Sequence, residues 1–237
     1  MKQTFLLLLT FISLHSFAQW QKIDGNGNVV KEKRQASGYT EISSSGSMDV
    51  MVAYGNSNDI EIEAEDNLLP YIVTEVSGNR LIIKTKNVNF RSHKKITVYV
   101  SLTKLEAVRL SGSGNIIGRG KFENDGTTDV SLSGSGNITF SFNTIKSLDI
   151  SISGSGNVKL DGSASTVKAS ISGSGNADCS NVICDDVSAR VNGSGNVRVF
   201  ANKSLDASIS GSGGVYYKGA ATDVRKRTAG SGRVVKM

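Results

Sequence analysis

From Asp129 to Phe200 the chain alternates apolar and polar residues at period two. Ile150, Ile152, Gly154, Gly156, Val158 and Leu160 share one parity; Ser151, Ser153, Ser155, Asn157 and Lys159 share the other. The same alternation runs through Val130, Leu132, Ile138, Phe140 and Phe142, and again through Val187, Ala189, Val191, Val197 and Val199. Strict period-two alternation gives an extended chain one dry side and one wet side. No window carries apolar residues at i, i+3, i+4 and i+7 over a helical length, so an all-β chain is expected.

One tetrapeptide interrupts the alternation. Gly-Ser-Gly-Asn recurs five times, beginning at Gly112, Gly134, Gly154, Gly173 and Gly193, and decayed copies begin at Gly211 and Gly230. Successive copies lie 22, 20, 19, 20, 18 and 19 residues apart. A near-constant period of this length marks one supersecondary unit stacked on itself. The paired glycines (Gly112 and Gly114, Gly134 and Gly136, Gly154 and Gly156, Gly173 and Gly175, Gly193 and Gly195, Gly211 and Gly213) fall on the dry parity. There the missing Cβ permits a sharp bend or a close approach to the neighbouring coil. They are read as the corners of a parallel β-solenoid with coils of about 20 residues, ~60 Å around at ~3.3 Å per residue. Stacking at ~4.8 Å would align Asn115, Asn137, Asn157, Asn176 and Asn196 in an amide-to-carbonyl ladder, beside a column of corner serines.

The N-terminal part is less regular. Gly25-Asn26-Gly27-Asn28 and Ser45-Gly46-Ser47-Met48 have the shape of degenerate corners, and Pro70 marks a turn or short insertion. Residues 1–18 read as a cleaved export signal: Lys2, the apolar run Phe5–Leu14, then Ser16-Phe17-Ala18. Residues 19–36 are a lead-in, with room for a first degenerate coil. A single solenoid domain is expected over 37–237, with clear repeats over 105–235. No run approaches the ~20 apolar residues of a membrane span, and no cysteine is placed to carry an N-terminal lipid. The expected location is the periplasm or the cell surface.

Charge and chemistry alter this picture little. The 237 residues carry a formal charge of +6, one less without Lys2, and the excess clusters at Lys31, Lys33 and Arg34; Arg91, Lys94 and Lys95; and Lys218, Arg225, Lys226 and Arg227. Such runs suit acidic polysaccharide or anionic headgroups, or serve only to keep an edge-rich protein soluble. Nucleic acid is a poor partner, since no aromatics interleave with the basic residues. Cys179 and Cys184 are the only cysteines; a local disulfide and two free core thiols both stay open. No metal or cofactor site is expected, because His93 is the only histidine beyond the signal.

Gly-Ser-Gly-Asn does not continue into a phosphate-loop or dinucleotide fingerprint and opens no helix. Nucleophilic serine chemistry would need a base, which only His93 could supply. The alternative enzyme reading, a polysaccharide lyase or hydrolase, rests on solenoid analogy and on Asp185 and Asp186 near Arg190 and Arg198. Adjacent strand residues point to opposite faces, and the other acids are scattered. A flat hydroxyl array of the ice-binding kind is suggested by Ser131, Ser133 and Ser135, but serine lacks the methyl group that would suit it.

Three stretches, IEIEAEDNLLPYIVTEVSGNRLIIKTK at 60–86, the SLSGSGN and SISGSGN series at 108–197 and SLDASISGSGGVYYKG at 204–219, resemble the "putative autotransporter adhesin, head GIN domain" family of exported bacterial proteins. The resemblance implies a right-handed solenoid, an export signal and no assigned catalytic or binding residue. The expected function is a non-catalytic envelope module, adhesive or structural. Its partner would be an extended acidic polysaccharide or another envelope protein.

Overall fold

The computed structural model describes residues 21–55, 59–91 and 93–237. The segment read as an export signal lies outside them. The protein is 75% strand with essentially no helix, and its parallel coils stack into a β-solenoid of about 6 turns. No helix among the described residues is long and apolar enough to cross a membrane.

Two short strands, β1 (Gln21–Asp24) and β2 (Val29–Gln35), precede a first coil made of β3 (Glu41–Gly46) and β4 (Asp49–Tyr54). The chain then leaves the stack through β5 (Asp59–Glu65), a 3-10 turn at Leu69–Tyr71 containing Pro70, β6 (Ile72–Ser77), β7 (Arg80–Thr85), β8 (Val88–Arg91) and β9 (Thr97–Leu102). β7 pairs in parallel with β3 and β9 with β4, so residues 80–102 form a coil on the N-terminal side of the first. Antiparallel pairs close that end: β2 with β5, β5 with β9, and β6 with β7. An open solenoid end would expose both core and unpaired strand edges, and such a cap covers them.

One expected corner is corrected here. Gly25-Asn26-Gly27-Asn28 is the turn from β1 to β2 and stacks on no other corner. It is organised by Glu65, only 2% exposed, whose carboxylate accepts the N–H groups of Gly27 at 2.6 Å and Lys94 at 2.8 Å. A Cβ on Gly25 would collide with that carboxylate. A buried carboxylate needs such donors.

The chain returns to the stack with β10 (Ala107–Gly112), which lies on the opposite side of β3 from β7. β11 (Asn115–Gly134), β12 (Asn137–Gly154), β13 (Asn157–Gly173) and β14 (Asn176–Gly193) each trace a whole coil from corner to corner. The last coils are split into β15 (Asn196–Phe200), β16 (Ser204–Gly211), β17 (Gly214–Lys218), β18 (Asp223–Ala229) and β19 (Arg233–Lys236). Gly112, Gly134, Gly154, Gly173, Gly193 and Gly211 stack in register, with Gly46 beneath them. Gly154 has φ +120°, and a Cβ there would lie 2.5 Å from the Gly134 carbonyl oxygen. That oxygen accepts the N–H groups of both Ser155 and Gly156 at 3.0 Å, which draws the two coils too close for any side chain.

The dry parity fills the coil. Ile150, Ile152, Val158, Leu160, Ile171, Val191, Val197 and Ile209 are each at most 2% exposed. A trio of rings spans the β11 and β12 coils, with the centroids of Phe122 (β11) and Phe140 (β12) 5.2 Å apart and those of Phe140 and Phe142 6.3 Å apart. Cys179 and Cys184 are both buried free thiols, so the local disulfide left open by the sequence is not made. Each belongs to its own inward column, Cys179 beside Val199 and Cys184 beside Ala164, and the Cys184 thiol donates to the carbonyls of Asp186 at 3.2 Å and Ser165 at 3.4 Å.

Candidate functional site

The strand segments that enter the corners present their wet parity as one flat face. Because coils stack in register, each outward position becomes a column. One column runs Ser43, Arg109, Ser131, Ser151, Ser170, Arg190, Ser208, Arg227. The next, nearer the corner, runs Ser45, Ser111, Ser133, Ser153, Ser172, Asn192, Ser210. Serine is the shortest hydroxyl side chain, so between Arg109 and Arg190 the face is hollowed. The hollow is a groove of about 510 Å³, with serines of five coils on its walls and the strands of Leu110, Leu132 and Ile152 along its floor.

Arg109 lines this groove between Ser43 and Ser131, and Arg190 follows Ser170 one coil beyond its lining. Arg109 donates to Glu41 at 2.5 Å and Arg80 to the same oxygen at 2.8 Å. Burial alone would raise the Glu41 pKa, but the hydrogen bonds from Arg80 and Arg109 prevail and lower it. Arg190 makes no hydrogen bond or ion pair among the described residues. Four coil steps at ~4.8 Å separate Arg109 from Arg190, about 19 Å. A third column, Asp129, Asp149, Lys168, Ser188, Asp206 and Arg225, carries mixed charge along the far edge, with Lys168 3.8 Å from Asp149.

Around the corner stands the asparagine column. Asn137 donates its amide to Asn115 at 2.8 Å, Asn157 to Asn137 at 3.0 Å, Asn176 to Asn157 at 3.0 Å and Asn196 to Asn176 at 3.0 Å. Every amide points toward the N-terminus, so the dipoles align and reinforce one another. The chain of donors ends on Asp49, which occupies the asparagine slot of the first coil. Its Oδ1 accepts from the Asn115 amide at 2.7 Å, and Lys95 lies 2.7 Å from its other oxygen. The bond to Asp49 raises the Lys95 pKa. Asp49 escaped the sequence reading; the signal was its place in Ser45-Gly46-Ser47-Met48-Asp49, aligned with Gly-Ser-Gly-Asn.

Two of the basic runs are occupied internally. Lys31 pairs with Glu61 at 2.6 Å, Arg34 donates to Glu32 and to the Leu69 and Ile72 carbonyls, and Arg91 pairs with Asp24 at 2.6 Å. The run at Arg225–Arg227 is paired as well, Arg225 with Asp223 at 3.2 Å and Arg227 with Asp206 at 3.4 Å, and Lys31, Arg91, Arg225 and Arg227 all stay largely in solvent. The carboxylates weighed for catalysis do not converge. Asp185 pairs with Lys203 at 2.7 Å, Asp186 accepts from Ser204 at 2.6 Å, and Arg198 lies over the Tyr216 ring at 5.6 Å, while Arg190 belongs to the serine face. Among the described residues no three His, Cys, Asp or Glu side chains are grouped to hold a metal ion.

Comparison with solved structures places this geometry among bacterial proteins. An adhesin, so named as putative, from Bacteroides fragilis superposes with a TM-score of 0.80 at 24% identity, covering 91% of this chain and 100% of that one. A putative lipid binding protein from Parabacteroides distasonis superposes with a TM-score of 0.72 at 27% identity, covering 92% and 100%. A putative adhesin from Parabacteroides merdae gives 0.71 at 24% identity, covering 92% and 99%. No curated protein matches the chain in sequence. The family described as "Putative auto-transporter adhesin, head GIN domain" matches residues 38–221, and the chain belongs to that family.

Proposed function

We propose that the protein is an exported, non-catalytic binding module of the cell envelope that holds an extended acidic polysaccharide along its serine face. The observation that carries this reading is the groove lined from Ser43 past Arg109 to Ser170 and Ser172. It is open, it runs along the solenoid axis, and it repeats hydroxyls at the coil spacing. Such a surface suits a chain-like ligand that is itself rich in hydroxyls, met by direct and water-bridged hydrogen bonds. Acidic groups on the ligand would meet the guanidinium groups of Arg109, within the groove, and of Arg190, one coil beyond it, while Asp129 and Asp149 discourage a polymer charged at every residue. The adhesin name of the family is consistent with a binding role and a place in the envelope.

The reading is one of binding without turnover, since Glu41 on this face is engaged by Arg80 and Arg109. The test is a glycan array followed by an assay of uronic-acid polymers for cleavage. The expected outcome is binding without turnover, weakened by Ser151→Trp and Ser170→Trp, which fill the groove, and by raised salt. Cleavage of any polymer on the array, or binding indifferent to both tryptophans, would overturn it.

A further inference from the structure

The serine groove opens into a second depression. Ser151 and Ser170 stand on the walls of both, and Asp149, Lys168, Ser188 and Arg190 complete the second, a hollow of about 180 Å³. Strand register explains the join. Lys168 precedes Ser170 by two residues in one coil, and Arg190 stands beside Ser170 in the next. Both side chains point outward from backbone positions ~4.8 Å apart across the strands and ~6.6 Å apart along them, about 8 Å in all. Side chains of this length can reach one small group between them.

Arg109 and Arg227, in the same column as Arg190, already have partners. Arg109 shares the Glu41 carboxylate with Arg80, and Arg227 reaches Asp206 at 3.4 Å. Lys168, by contrast, lies 3.8 Å from Asp149, beyond hydrogen-bond distance, and its side chain is 66% exposed. Arg190 has no hydrogen bond or ion pair among the described residues. With one carboxylate and two cations, the hollow carries an excess of positive charge that a single anionic group neutralises. Asp149 bounds it on the N-terminal side, and Asp206, two coils beyond Lys168 in the same column, stands on the other. A second acidic group placed beside the first along that column would be repelled by one of them.

We propose that Lys168 and Arg190 form a subsite for the carboxylate of one uronic acid residue, with neutral sugar residues of the same ligand lying in the serine groove. The subsite rests on the polysaccharide reading of that groove and adds the group that the ligand must carry. A guanidinium meets a carboxylate with two parallel N–H donors, and Lys168 adds a point charge beside it. The hydroxyls of Ser151, Ser170 and Ser188 then face the ring hydroxyls of that residue. The ligand crosses the face obliquely, from Ser111 and Ser133 near the corner to the Lys168 column farther from it. A polymer in which uronic acid alternates with neutral sugar fits this surface better than a polyuronate.

The test has two arms. In the first, the protein is titrated with glucuronate, with glucose and with glucose 6-sulfate, and NMR reads the amides of Lys168, Ser188 and Arg190. Glucuronate should shift them and glucose should not; raised salt should weaken the shift, and Lys168→Gln with Arg190→Gln should abolish it. In the second, binding of an alternating copolymer of glucuronate and N-acetylglucosamine is set beside binding of its carboxyl-reduced form. The wild type should prefer the native polymer by about tenfold, the value of one charge-assisted contact, and the double variant should bind both forms alike. Both side chains are exposed, so the variant should keep the wild-type thermal transition. No shift with glucuronate, an equal shift with glucose, or an undiminished preference in the double variant would overturn the subsite. A larger shift with glucose 6-sulfate would overturn its assignment to a carboxylate. Shifts with glucuronate but no binding of either polymer would overturn the extended-ligand reading of the groove and leave the carboxylate subsite in place.

Discussion

A single oxygen of Asp49 accepts both the main-chain N–H of Asn115, at 3.1 Å, and its side-chain amide, at 2.7 Å. The carboxylate therefore terminates the asparagine ladder, and Lys95 balances its charge at 2.7 Å. Asp49 is itself 6% exposed, so its removal strands donors that water reaches poorly. Asp49→Ala should cost about 1–3 kcal/mol in denaturant unfolding. Asp49→Asn, which restores an amide acceptor of the same shape, should recover most of that loss. Equal losses in the two variants would mean that the charge on Lys95, and not the ladder, governs the site.

The corner glycines should matter more than the corner serines. Gly154→Val and Gly173→Val each place a branched residue at φ +120° against a carbonyl of the preceding coil. Each should destabilise by more than ~1 kcal/mol. Ser155, exposed between them in the chain, should tolerate alanine within about 0.5 kcal/mol. Chemical denaturation of the three variants ranks them, and a serine change costlier than the glycine changes would reverse the assignment of faces.

Gly25 and Glu65 should behave as one unit. Gly25→Ala expels the Glu65 carboxylate from its place against the Gly27 and Lys94 N–H groups, and Glu65→Ala removes it. The two changes should each loosen the packing of the β1–β2 turn, and the double variant should cost little more than the worse single one. Hydrogen exchange at the Gly27 and Lys94 amides reads this directly; simple additivity would separate the two residues.

Opposite signs are expected at the two ends of the pH scale. Burial pushes the Cys184 thiol up from 9.0 to about 11, and burial raises Cys179 as well. A raised pKa favours the folded state fully below pH 9, and the advantage is lost as pH climbs toward the folded value. The wild type should therefore lose stability above pH 9 faster than a Cys179→Ala, Cys184→Ala variant, whose lysines titrate alike. Both thiols should also resist alkylation at pH 8 until the chain unfolds. The Glu41 pKa is lowered, so its contribution is present above the ordinary 4.5 and is lost as pH falls through the folded value. Arg109→Ala should flatten that acid limb.

The residues of the repeats were legible because their information is local. Period two assigns each side chain to a face, and an interval near 20 residues assigns each coil to the one before it. Ile150 and Ile152 could be placed inside, and Asn137 beside Asn157, with no knowledge of any distant partner. The serine groove follows from the same bookkeeping of columns, once Ser131, Ser151 and Ser170 are set in register.

What only the tertiary structure decided lies where contacts are remote in sequence. Parity says that β3 is a strand but not that it is held between β7 and β10, nor that β2 and β5 run antiparallel. Gly25-Asn26-Gly27-Asn28 resembles a corner in composition, yet Glu65, a distant residue, makes it a turn. The charge within the serine groove depends likewise on Arg109 meeting Glu41 across 68 residues of chain. A repeat specifies its own stacking because each coil is the template for the next. The cap has no such template, and its pairing is chosen by which buried groups find partners when the chain closes on itself.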